Sequence, residues 1–223
     1  MMFRSYKIII IIVLIIFPLS TYAHVQHYQN LKRIEFDIFR NNQHIGKHIF
    51  TFRRSNDQLA VDSEINFEIK KFGIVLYKYH VKGTEVYKDG KLIKFNSKTN
   101  QNGKDTYVNM ILKDNEYIID GSSYKGKAPT DFMIGTWWNH SIVKASAQIS
   151  AVSGRIIKQK VTFLGKDTIK FGDQNYNTLH FNFSSTDKKL DKDKKLNTDV
   201  WYDEQTLNWI KASFEKKESG NIN

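Results

Sequence analysis

Strict alternation of apolar and polar residues limits the folds open to this chain more than any other feature. From Leu59 onward the odd positions are Leu59, Val61, Ser63, Ile65, Phe67 and Ile69. The even positions are Ala60, Asp62, Glu64, Asn66, Glu68 and Lys70. A strand sends successive side chains to opposite faces, so this segment has one dry face and one wet face. Ile34, Phe36 and Ile38 repeat the pattern against Arg33, Glu35 and Asp37. Helix-period patterns are rare, and only two prolines interrupt the chain.

Turn signals fall where a meander needs them. Asp89-Gly90 separates Thr84–Lys88 from Lys91–Thr99, and Asn102-Gly103 separates that strand from Asp105–Lys113. Asp and Asn before Gly tolerate the positive φ angles of tight hairpins. Asp114-Asn115 leads into Glu116–Asp120, with further turns at Asn41-Asn42 and Gly172-Asp173. Alternation resumes over Arg155–Leu164, Thr168–Phe171, Tyr176–Ser184, Thr198–Tyr202 and Leu207–Lys216. The stretch from Gly126 to Ser153 reads as a long connection with one short helix around Ile142–Ile149. The lysine and aspartate run Asp187–Lys195 reads as a solvated hairpin loop. These signals predict an all-β fold: an antiparallel up-and-down meander forming a strongly curved sheet or half-open barrel. An outer-membrane barrel also alternates, but no strand carries aromatic girdles at both ends.

The first residues carry an address. Arg4 and Lys7 precede the apolar run Ile8–Phe17, then Pro18, Leu19, Ser20 and Thr21-Tyr22-Ala23. This is the pattern of a secretory signal peptide over residues 1–23, leaving a single β-rich domain over 24–223 in the periplasm or outside the cell. An uncleaved anchor is the alternative, although about 20 apolar residues are needed to span a bilayer. There is no cysteine, which removes disulfides, thiol nucleophiles and Cys-type zinc sites. The net charge is +11, or +9 once Arg4 and Lys7 are gone. At this address such a balance favours a solvated surface or an anionic membrane face over nucleic acid.

Four motifs carry a resemblance. Phe36-Asp37-Ile38 leads into Ile45-Gly46-Lys47-His48; Tyr77-Lys78-Tyr79-His80 precedes Glu85-Val86-Tyr87-Lys88-Asp89-Gly90; Thr136-Trp137-Trp138-Asn139 follows Pro129; and Asp199-Val200-Trp201-Tyr202-Asp203 comes near the end. From Leu31 to Lys216 the chain resembles an uncharacterised family of exported bacterial β-proteins, in which Trp usually stands where this chain has Tyr87. The resemblance implies export and an all-β fold, and no activity. A fainter likeness is to periplasmic lipoprotein and lipid carriers, which are half-open curved sheets.

Candidate chemistry is sparse. Seven histidines are present, but His44 and His48 straddle a turn and strand start, and His24 and His27 sit at the N-terminus, so neither a metal nor another cofactor is expected. No Gly-x-Ser-x-Gly elbow and no glycine-rich phosphate loop occurs. His80 and Glu85 lie five apart, on opposite strand faces unless Gly83 opens a bulge. Glu85 shares a face with Tyr77, Tyr79 and Tyr87. An inward face would place a carboxylate among aromatics and raise its pKa, whereas an outward face would leave cross-strand packing only. Of Trp137 and Trp138, at most one belongs to the core, and the other suits packing or the mouth of a cavity. Asn139 either caps a helix near His140 or binds a ligand.

Three functions remain open. The first is non-catalytic binding of an apolar or amphipathic envelope ligand such as a lipid, through Phe67, Tyr79, Glu85, Trp137, Trp138 and Asn139, with Ile65 lining the same cavity. Burial would drive it at roughly 25 cal/mol per Å². The second is an envelope hydrolase or lyase using Glu85 with His48 or His80, which requires those side chains to converge. The third is a scaffold that binds another envelope protein through a sheet edge.

Overall fold

The computed structural model describes residues 28, 30–190 and 195–214. The leader over 1–23 and its cleavage point lie outside the described residues. Eight strands follow one another in chain order: β1 Arg33–Arg40, β2 Gln43–Ser55, β3 Gln58–Lys71, β4 Ile74–Lys88, β5 Lys91–Gln101, β6 Lys104–Lys113, β7 Glu116–Gly121 and β8 Lys125–Pro129. They form one antiparallel meander in which every strand pairs with its sequence neighbour. The local rules above account for four of its seven turns, and β8 takes up the first residues of the stretch expected to be a long connection. Asn41-Asn42, Asp89-Gly90, Asn102-Gly103 and Asp114-Asn115 all take positive φ at both residues, the conformation of a two-residue hairpin whose twist matches its strands.

The same conformation occurs at Phe72-Gly73 between β3 and β4. Phe72 is not a turn residue by propensity, so the signal for this hairpin rests on Gly73 alone and the sequence leaves the Lys71–Leu76 stretch unassigned.

A second sheet follows: β9 Met133–Ile134, β10 Ala147–Ile149, β11 Ile156–Phe171, β12 Gln174–Ser185, β13 Asn197–Asp203 and β14 Trp209–Phe214. Its order is β14-β13-β12-β11-β10-β9, and only β9 and β10 run parallel. The expected strands Arg155–Leu164 and Thr168–Phe171 are one strand, β11, whose register shifts between Phe163 and Gly165. The bulge breaks the alternation without ending the pairing. The expected helix is also shorter. A 3-10 helix covers His140–Lys144, and Ala147–Ile149 then forms β10, buried along its whole length and paired with β11.

One core joins the two sheets. Phe50, Phe52, Val61, Tyr87, Phe95, Val108, Met110 and Ile119 come from the first sheet. Ile149, Phe183, Val200, Tyr202 and Trp209 come from the second, with Trp138 and Ile142 from the segment that joins β9 to β10. The inward positions of β3 and β4 are the odd ones, as the alternation requires. Gly46 is obligatory where it stands, because a Cβ there would lie 2.1 Å from the Asn66 carbonyl oxygen and 2.5 Å from the Phe67 Cβ.

Candidate functional site: a buried carboxyl and an open aromatic shelf

Two groups of sequence-selected residues gather at the inner face of β4, around Glu85 and around Tyr79, which are about 20 Å apart at a strand rise of 3.3 Å per residue. The first is centred on Glu85, which is only 2% exposed. Glu85 therefore faces inward among aromatics. Its Oε1 accepts hydrogen bonds from the Thr136 hydroxyl at 2.7 Å and the Trp138 indole N–H at 2.9 Å, and its Oε2 accepts from the Tyr87 hydroxyl. The Asn139 side chain in turn bonds to Tyr87. Burial pushes the Glu85 carboxyl above the usual range, and the three donors oppose that rise in part.

Each member is positioned by its local backbone. Glu85 and Tyr87 are two apart on one strand and so share a face. Thr136 and Trp138 are likewise two apart, in the segment that crosses from β9 to the 3-10 helix. Trp138 is wholly buried, and its ring meets those of Tyr28, Phe52 and Tyr87 edge-on at 5.3, 5.3 and 5.7 Å. Asn139 caps the 3-10 helix, its Oδ1 accepting from the Ser141 N–H at 3.0 Å. Trp137 adopts a left-handed φ of 57° and lies half-buried, 6.0 Å from the Trp209 ring. The adjacent tryptophans thus diverge: Trp138 fills the core and Trp137 packs against its margin.

The structure brings Glu85, Trp138 and Asn139 together and keeps the histidines away. His80 lies on the outer face and pairs with Glu64 at 3.0 Å. Strand β4 stays in register with β3 through Gly83, so no bulge turns His80 inward. His48 packs among Phe36, Phe50 and Trp209. Sequence reading missed the roles of Thr136 and Tyr28. Thr136 is found only by asking which donors could satisfy an inward carboxylate, and the available ones lie about fifty residues away.

His48 carries a pH consequence. Burial against three aromatic rings pulls its imidazole down from 6.5 to about 3. Between those limits the unfolded chain binds a proton that the folded chain refuses, so stability is complete above pH 6.5 and is lost as pH falls toward 3. The whole interval corresponds to at most about 5 kcal/mol. Replacing His48 with phenylalanine is expected to abolish that part of the acid destabilisation, as read from urea midpoints between about pH 7 and about pH 4.

The second group is an aromatic shelf. The Phe67 and Tyr79 rings stack at 4.9 Å, and Tyr79 stacks on Tyr77 at 6.5 Å. All three occupy inward positions of β3 and β4, yet they lie outside the core cluster and remain half-buried. Burial raises the Tyr79 phenol to about 12. Beside the shelf, a cleft of about 370 Å³ is lined by Arg40, Gln43, Ile45, Gly46, Phe67 and Ile69 among others. Phe67 and Tyr79 therefore lie together, and apart from Glu85, Trp137, Trp138 and Asn139.

Among the described residues no helix is long and apolar enough to cross a membrane. No curated protein and no solved structure shows significant similarity to the chain. Residues 36–223 match the family described as a domain of unknown function, DUF6134, which spans both sheets, the buried carboxyl and the shelf, and the chain belongs to that family.

Proposed function

We propose that this is an exported, non-catalytic binding protein of the cell envelope, and that its ligand is an apolar or amphipathic molecule such as a lipid. The observation that carries this reading is the shelf of Phe67, Tyr79 and Tyr77. The inner face of the first sheet continues past its filled core as an aromatic surface outside that core. An acyl chain or fused ring laid on it would leave water on one side, while the cleft beside Arg40 and Gln43 would receive a polar head.

Glu85 supports the non-catalytic part. Both of its oxygens are engaged by Tyr87, Thr136 and Trp138, and its side chain is buried. In this reading the carboxyl anchors the crossing segment and does not act on a substrate.

Native mass spectrometry of detergent-free protein, followed by solvent extraction, tests the proposal. A discrete lipid should co-purify. Replacing Phe67 with serine removes about 80 Å² of apolar contact, or about 2 kcal/mol, and should lower lipid affinity about thirtyfold. A protein that carries no lipid and takes none up from added lipid would overturn the reading.

A further inference from the structure

We infer that the β3–β4 hairpin tip is a membrane-docking element that enters the interfacial layer of an anionic bilayer. This goes beyond the ligand reading by naming where the protein meets the membrane. The tip reads Lys70-Lys71-Phe72-Gly73-Ile74-Val75-Leu76. Phe72 is 93% exposed, Ile74 66% and Leu76 52%, and Val75 between them is exposed as well. Successive strand residues point to opposite faces, so an exposed run of three means that neither face of the tip is covered.

The sheet topology isolates this tip. Pairing of β4 with β5 begins at Tyr79 and Gln101, and the Asn102 N–H reaches only to the Lys78 carbonyl. Residues 74–77 thus project beyond the β5–β6 turn with one edge unpaired among the described residues. A register shift between β3 and β4 leaves Leu76 opposite no partner.

Charge selects the occupant. The segment from Glu68 to Lys78 holds three lysines and one acid, a net +2. Glu68 pairs with Lys70 at 3.1 Å and with Lys78 at 3.2 Å, while the Lys71 ammonium lies 5.8 Å from the Phe72 ring. Apolar side chains at the apex with lysines behind them match the order met on entering an anionic membrane, where acyl chains lie beneath negative headgroups. A flat protein surface would cover one face of the tip, whereas a lipid interface surrounds both. The unpaired edge of residues 74–77 sets the depth, because unsatisfied N–H and C=O groups are not tolerated in hydrocarbon. The tip therefore rests at headgroup level.

The absence of cysteine makes the test specific. Ile74→Cys, labelled with an environment-sensitive fluorophore, reports on the tip alone, and Lys91→Cys, in the β4–β5 hairpin, reports on the opposite end of β4. Vesicles of phosphatidylcholine with phosphatidylglycerol should shift the emission of the Ile74 label to the blue and leave the Lys91 label unchanged. Neutralising Lys70 and Lys71 to glutamine should weaken the response about thirtyfold, and Phe72→Ser should diminish it as well. Lipid co-purification, which reports on the shelf, should persist in these variants, so the two proposals fail separately. An unchanged Ile74 label, an equal response to pure phosphatidylcholine, or a blue shift that follows protein concentration without vesicles would each overturn the assignment. The last of these would mean that the tip docks a second copy of the chain.

Discussion

Trp138→Ala is expected to cost about 5 kcal/mol, enough to unfold most of the protein if its total stability is in the ordinary range of about 5–15 kcal/mol. Three physical losses add. The indole is wholly buried and makes edge-on contacts with Tyr28, Phe52 and Tyr87, and removing such a ring costs about 3–5 kcal/mol through lost burial and the remaining cavity. Glu85 also loses its 2.9 Å indole donor, which penalises a buried oxygen by a further 1–3 kcal/mol or so. Finally, the segment that joins β9 to β10 loses its anchor to the first sheet. Urea titration followed by circular dichroism should show the midpoint collapsing, and a melting temperature, where measurable, should fall by about 10–20 °C. Trp138→Phe separates the contributions. It keeps much of the ring volume but lacks the N–H, so its cost should be about half. Equal costs would mean that the hydrogen bond to Glu85 dominates; a Phe variant as stable as the parent would mean that volume alone matters.

Glu85→Ala is the second large effect, expected at about 4 kcal/mol. Alanine leaves the Tyr87 hydroxyl, the Thr136 hydroxyl and the Trp138 N–H facing a void, and each buried donor without an acceptor costs about 1–3 kcal/mol. Glutamine should behave differently. Its carbonyl can accept from Thr136 and Trp138, and its amide can donate to the Tyr87 oxygen. The contrast with the parent then depends on pH. Because burial raises the folded carboxyl above its unfolded value of 4.5, the folded state holds a proton that the unfolded state releases. The stabilisation is complete below pH 4.5 and is lost as pH rises through the folded value. Glu85→Gln lacks that loss, so its stability relative to the parent should increase from about pH 4.5 upward. Chemical denaturation across that range checks it, and parallel curves would show that the carboxylate is fully accommodated. His48 acts with the opposite sign in the overlapping acid window. The two variants are therefore to be measured separately before they are combined.

Much of the architecture was legible because it is local. Alternation from Leu59 to Lys70 assigned the faces of β3, and Asp89-Gly90 and Asn102-Gly103 placed two turns at the residues where positive φ is found. Phe72-Gly73 was not legible as a turn because phenylalanine is not a hairpin residue by propensity and Gly73 stands alone as the signal. The long β11 escaped because a bulge interrupts the period at Leu164. For the candidate site, the separation of His80 from Glu85 was readable from an odd spacing on one strand. The inward direction of Glu85 was not, since tyrosines suit either face of a sheet.

The sequence by itself determined that this chain is an antiparallel β-protein, where most of its hairpins turn, and which strand positions share a face. Those properties arise from backbone sterics and from a side-chain period of two, which act within a few residues. The tertiary structure alone decided that the strands divide into two sheets, and that Trp138 crosses fifty-three residues of chain to donate to Glu85. It also decided that Phe67 and Tyr79 lie beyond the covered core. Such contacts depend on the path of the chain from the end of β8 to the start of β10. No local period encodes that path; it is selected by the requirement that an inward carboxylate find donors and an apolar face find cover.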